Sequence, residues 1–257
     1  RRALRKAFTR APEVDDSAEA LSFRAAFWCC AVGSAFMLWW LHQSGLPYFH
    51  AVLFLFAAAL IFIGLTRIVV ESGVAEAVAS TIPSSAVISG VGTQGLGSTG
   101  LAAMGLTYVW SSDLRTFVMA SAAHGLKMAE ALPGKKRGLF WAMMLAVLAS
   151  MASSMWFTML MAYRRGGAMM NSWFFRGSPF GCYDFIVKKI LNPSGPHLGG
   201  WLTTLAGAAV MALLTHLRRL LPWWPFHPLG FVIGTTWIMD ELWLSCFIIW
   251  VLKGALL

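Results

Sequence analysis

Three groups of residues in this chain have the types and spacing to do chemistry in an apolar setting. Arg67 and Glu71 stand four residues apart, on one face of a helix, just beyond the apolar run 51–65. They can act as a charged gate or solute contact, or simply as an interfacial ion pair that snorkels to water. The glycine-rich run 89–100 carries Ser89, Thr93, Gln94, Ser98 and Thr99 among Gly90, Gly92, Gly95, Gly97 and Gly100. Small residues there either let helices approach closely or break the helix, freeing backbone N–H and C=O groups to line a solute cavity. Asp240-Glu241 sits within the apolar run Leu229–Leu252. A straight helix over that run puts both acids near mid-membrane, where a carboxylate needs a partner or a raised pKa and suits proton coupling. If Gly234-Thr235-Thr236 breaks the run, a helix begins near Trp237 and the acids lie in its first turn, favoured there by the helix dipole.

Other candidates carry less chemistry. Gly90, Gly92 and Gly95 match G-x-G-x-x-G, but dinucleotide binding needs a preceding strand and an acidic residue on the next one, and neither is present. Asp113, Arg115, His124, Lys127 and Glu130 are spread through an amphipathic helix over 113–132, ended by Pro133-Gly134. Asp113, Arg115, Lys127 and Glu130 read as gating or interfacial groups, with Lys127 and Glu130 at pairing distance on the helix. His124 shares no ligand spacing with the acids, so no metal site is expected. Asn171–Gly177 is either a lid or a surface loop with aromatic anchors. There is no G-x-S-x-G, no H-E-x-x-H and no assignable triad, so no catalytic residue, no enzyme activity and no cofactor are expected.

The elements that position these groups belong in lipid. The 257 residues are 58% hydrophobic and only 12% charged, with a mean hydropathy of +0.66; soluble domains carry roughly 25% charged residues. Thirteen Trp and eighteen Phe suit membrane interfaces. The fold class read from this pattern is all-α: a polytopic helical membrane protein of about five or six spans, with amphipathic helices. Spans are expected near 24–41, 48–70, 138–163, 199–217 and 229–252, with 85–110 either crossing or re-entering, and a short helix around Tyr183–Leu191. Residues 1–23 form a polar, basic arm or linker, and 24–257 the helical membrane domain.

The net charge of +9 is placed in the loops, where it tethers them to the cytoplasmic side and its anionic lipids, not to nucleic acid. The N-terminus is expected to be cytoplasmic, because the basic arm precedes the first span and the turn 42–47 lacks Lys and Arg. If 85–110 re-enters, Lys135–Arg137 and Arg218-Arg219 lie on that same side. Cys29, Cys30, Cys182 and Cys246 form no C-x-x-C and imply neither a disulfide framework nor zinc. The chain starts with Arg and ends in or just after an apolar helix, as expected of a piece of a longer protein whose N-terminal half is missing.

Residues 64–138 resemble the oligopeptide transporter (OPT) superfamily. Arg67-Ile68-Val69-Val70-Glu71-Ser72-Gly73 looks like that family's Arg-Ile-x-x-Glu-x-Gly stretch. Gly100 through Asp113-Leu114 looks like its glycine-rich helix leading to Asp-Leu. Leu126-Lys127, Leu132-Pro133 and Lys135–Arg137 are similar to its Leu-Lys and Pro-basic turn, although the spacing from Asp-Leu is longer here. A closer resemblance is to uncharacterised bacterial OPT-like membrane proteins with domains of unknown function. Leu65–Val69, Asp113–Phe117, His124–Lys127, Asn171–Phe175 and Trp224–Phe231 carry it, over most of the chain. The resemblance implies a secondary transporter of two related halves in the bacterial inner membrane. It would move small peptides or metal–chelator complexes with protons, and it could form a homo-oligomer. Arg67, Glu71 and 89–100 would lie near the pathway. A non-transporting scaffold or subunit of a larger membrane complex is the alternative.

Overall fold

A computed structural model describes residues 16, 19–74, 77–112, 117–131, 136–221, 223–234 and 236–256. The chain is all-α over these residues. Helix α1 (Phe23–Gln43) begins where the Ser22 side chain accepts the Ala25 N–H at 3.3 Å, a hydroxyl cap on an otherwise unpaired donor. The turn 44–47 reverses the chain into α2 (Tyr48–Ser72), which ends at Gly73 in the left-handed conformation that glycine adopts without strain. Then come α3 (Pro83–Val91), α4 (Gly97–Leu106), α5 (Tyr108–Ser111), α6 (Val118–Ala129) and α7 (Arg137–Arg165). After a 3-10 turn at Gly167–Met169 and a π-helical turn at Trp173–Gly177, α8 (Ser178–Leu191), α9 (Leu198–Leu220), α10 (Pro228–Ile233) and α11 (Trp237–Leu256) complete the described chain.

Among the described residues, four helices are long and apolar enough to cross a membrane: α1, α2, α7 and α9. Each agrees with an expected span to within a turn. The other two expected spans are broken. The stretch 85–110 is divided at Gly92–Leu96, and Leu229–Leu252 is divided into α10 and α11 by the turn around Gly234 and Thr236. At 1.5 Å per residue α3 and α4 are roughly 14 and 15 Å long, about half of a hydrocarbon core.

Contacts show that the chain reverses direction between α3 and α4. The tip between them lies at the α1–α2 turn. A Cβ on Gly95 would stand 3.3 Å from His50 Nε2, one on Gly100 3.5 Å from Pro47 Cδ, and one on Gly45 3.7 Å from the Thr99 carbonyl. The open end closes on itself further along α2. There α5 packs on α3, and the Tyr108 phenol lies beside the Ser85 and Ser84 hydroxyls. Trp110 sits edge-on to Phe54 at 5.5 Å and tilted to Phe62 at 6.5 Å, which fixes its level on α2. The glycine-rich segment is therefore a helical hairpin, not one straight helix.

Two apolar clusters hold this arrangement. The first joins Leu41, Leu46, Ala51 and Phe54 to Val87, Ile88, Leu101, Met104 and Ile186, so α1, α2, the hairpin and α8 share one core. The second joins Leu65, Ile68 and Val69 of α2 to Ala77 and Ala120, with Phe62, Phe117, Leu229 and Ile233 packed around it. Lipid supplies little hydrophobic drive between helices, so close packing carries the association. A Cβ on Gly105 would lie 3.1 Å from Ile186 Cγ1, and Cys182 Sγ reaches the Gly105 carbonyl at 3.2 Å. By contrast, α7 buries none of its 29 residues.

A cysteine introduced as Gln94→Cys, in a chain whose own cysteines are replaced, will react with a membrane-impermeant maleimide from the same side as Gln43→Cys. Glu71→Cys will react from the opposite side. Labelling of Gln94→Cys from the same side as Glu71→Cys would show that the tip does not reach the α1–α2 turn, and protection from both sides would show that Gln94 lies inside a crossing segment.

Candidate functional site

Two places gather the polar groups, one at each end of α2. His50 and Arg67 mark them, about 25 Å apart along the helix.

The first is the hairpin tip. Gly92 has φ +87° and ψ 172°, a region essentially reserved for glycine. A Cβ there would stand 2.9 Å from the Ser194 carbonyl oxygen and 3.0 Å from Gly195 C and Pro196 N. The break in α3 thus exists because the extended segment 192–197 lies directly across it. The last carbonyls of a helix lack intrahelical donors, and this segment supplies them. His197 N–H donates to the Ser89 carbonyl at 2.9 Å, and the Trp201 indole N–H to the Gly90 carbonyl at 3.0 Å. Thr93 N–H donates to the Ser194 carbonyl at 2.9 Å. The Thr93 hydroxyl donates to that carbonyl at 3.2 Å and accepts the Ser194 N–H at 2.9 Å. The C-terminus of α3 therefore meets the N-terminus of α9, where His197 Nδ1 caps Gly200 N–H at 2.8 Å. Opposite dipole ends facing one another add to the junction. Beside it His50 is buried, and neither ring nitrogen has a hydrogen-bond partner.

The second place is an open cleft of about 530 Å³ between the far ends of α2 and α9, closed on one side by α10. Arg67, Glu71, Arg218, Arg219 and His227 line it with apolar Ile68, Leu229 and Val232. Arg67 Nε donates to Glu71 Oε1 at 2.6 Å. Both side chains are largely exposed, so the pair itself contributes little stability.

The expected site residues divide accordingly. Ser89, Gly92 and Thr93 meet at the junction, but their backbone groups are taken up by 194–201 and do not line an open cavity. Gln94 and Ser98 are exposed on the hairpin tip. Arg67 and Glu71 pair in the cleft. Lys127 donates to Glu130 at 3.0 Å on α6, as the spacing predicts, and that hydrogen bond and charge hold the fully exposed Glu130 carboxyl below its usual range. Asp113 and Arg115 lie outside the described residues. For Asp240 and Glu241 the structure follows the reading in which the apolar run is broken. The helix starts at Trp237, so the acids fall in its first turn and just beyond, exposed, and not in the middle of a straight helix. No group of three metal-ligating side chains occurs among the described residues.

Sequence reasoning missed the partners of both places. Ser194, His197 and Trp201 were signalled only by Pro193 and Pro196 flanking Gly195, which read as loop. Arg218, Arg219 and His227 read as an interfacial connector.

Fold and sites together define an all-α, multi-helix domain with four long apolar helices, of the kind that makes a polytopic membrane protein. The chain belongs to a family of unknown function, DUF6785, which matches residues 1–257. None of the curated proteins and none of the solved structures matches it.

Thr93→Val removes the hydroxyl and strands the Ser194 N–H, which will lower stability by about 1–3 kcal/mol. Gly92→Ala will cost about as much in backbone strain alone. Both are read as a lower unfolding midpoint in detergent, with Gly97→Ala, whose Cβ meets nothing within 4 Å, reporting the cost of a positive φ without a clash. An unchanged midpoint for Thr93→Val would show that the junction does not bear on stability.

Proposed function

We propose that this protein is a secondary transporter, in the bacterial inner membrane, that moves a small peptide-like or metal–chelate solute with protons. The observation that carries the reading is the helical hairpin. Transporters build solute sites on broken helices; here the break itself is closed by segment 194–201, and the open space is the charged cleft at the other end of α2. The resemblance of Arg67–Gly73 to the OPT pattern supports the same reading, and the charged cleft is placed as the mouth of the pathway. Arg67 faces a solute carboxylate there, and Glu71, its partner, takes the proton. Asp240 and Glu241 have no part in this scheme, since their case rested on mid-membrane depth. Arg67, Arg218 and Arg219 gather at one end of the bundle; by the positive-inside rule that end is cytoplasmic, together with the N-terminus.

A second reading, a scaffold or subunit of a larger membrane complex, is favoured by α7, which exposes Trp141, Leu145, Leu148, Met155 and Trp156 and buries nothing.

Full-length protein in proteoliposomes with an inward proton gradient will accumulate a labelled dipeptide or metal chelate above empty vesicles. Arg67→Gln will cut that uptake about tenfold or more, as the loss of a charge-assisted hydrogen bond predicts, without lowering the unfolding midpoint. Uptake unchanged in Arg67→Gln would remove Arg67 from the pathway. No gradient-driven uptake, with a membrane partner recovered on purification, would favour the scaffold.

A further inference from the structure

The donors of the cleft outnumber its acceptors. Arg67, Arg218 and Arg219 line the cleft with one carboxylate, Glu71, so among the described residues two positive charges of the lining are uncompensated. Glu71 Oε1 is already engaged by Arg67. Among the described residues no carboxylate pairs with Arg218 or Arg219. His227 adds a further donor. Its Nδ1 accepts the Leu229 N–H at 3.1 Å, so the proton of the neutral ring is on Nε2. The Thr215 hydroxyl is turned to the Met211 carbonyl at 2.7 Å. A guanidinium fork matches phosphate and carboxylate oxygens bidentately, and two uncompensated charges match a dianion better than a monoanion.

We infer that the cleft is a phosphate-binding site, formed by Arg218, Arg219 and His227 with Arg67 at its edge. At about 530 Å³ it holds more than an inorganic ion, and Gly64, Ile68, Leu229 and Val232 give it an apolar wall. The ligand is therefore a phosphate ester with an apolar portion. Two sources share that chemistry: the headgroup of an anionic lipid entering from the bilayer, and a soluble phosphorylated solute. The inference goes beyond the transport reading, which takes the same cleft as a pathway mouth but uses Arg218 and Arg219 only for orientation and His227 not at all. Binding can be tested without uptake, so either can fail alone.

The competing explanation is that paired arginines at a helix end serve only as topological anchors. Arg164-Arg165 at the end of α7 provides the control, since it lines no part of the cleft. Full-length protein is placed in phosphatidylcholine nanodiscs and titrated with inorganic phosphate and with glycerol 3-phosphate at constant ionic strength, chloride being the reference. The readouts are the unfolding midpoint and tryptophan fluorescence. A parallel sample in nanodiscs containing phosphatidic acid, a phosphomonoester, is examined by native mass spectrometry for retained lipid. Saturable binding is expected in at least one arm. The Arg218→Gln/Arg219→Gln double variant will weaken it about tenfold or more, the corresponding double lysine variant, which keeps the charge but not the fork, will retain only part of it, and Arg164→Gln/Arg165→Gln will leave it unchanged. Response to glycerol 3-phosphate identifies a soluble ligand, and retention of phosphatidic acid alone identifies a lipid. No saturable binding in either arm, or equal loss in both glutamine variants, overturns the inference.

Discussion

A helix broken inside a membrane bundle must find partners for the backbone groups it releases, and the structure is organised around that need. Ser89 and Gly90 end α3 with carbonyls that have no donor on their own helix. Segment 192–201 provides a backbone N–H and an indole N–H in the right places, while Thr93 and Ser194 exchange hydrogen bonds with each other. Each such bond is worth only about 1 kcal/mol net, but each left unmade costs about 1–3. The hairpin and the α8–α9 connection are thus fixed by one another. Neither has a reason to hold its shape alone.

The glycines follow from the same constraint. Gly92 is required twice, by a backbone conformation closed to other residues and by a peptide pressed against the place of its Cβ. Gly105 is required by approach, because Ile186 occupies the space a side chain would need. Between helices in lipid such close contacts replace the hydrophobic drive of a soluble core. Glycine-rich sequence here records packing and backbone geometry rather than a cofactor loop.

This explains which parts of the architecture are legible in the sequence. Helices α1, α2, α7 and α9 announce themselves by length and hydropathy, which are local properties. The helix break around Gly92 is suggested by its glycines, but whether the chain returns depends on contacts with His50, Pro47 and Tyr108, which no local pattern encodes. For Asp240 the sequence offers a straight helix or one starting near Trp237, and hydropathy cannot choose between them; a turn at Gly234 and Thr236 changes hydropathy little and moves the acids from a helix middle to a helix start. Of the cleft, Arg67 and Glu71 are visible as an i,i+4 pair. Arg218, Arg219 and His227 join them only because α9 runs beside α2, a long-range fact.

Helix α2 is continuous from Tyr48 to Ser72, and it carries a wall of each site, with His50 against the hairpin tip and Arg67 in the cleft. Its packed middle, around Phe54 and Phe62, lies between them, so one unbroken rod joins the tip to the cleft, and the length of α2 alone sets their separation of about 25 Å.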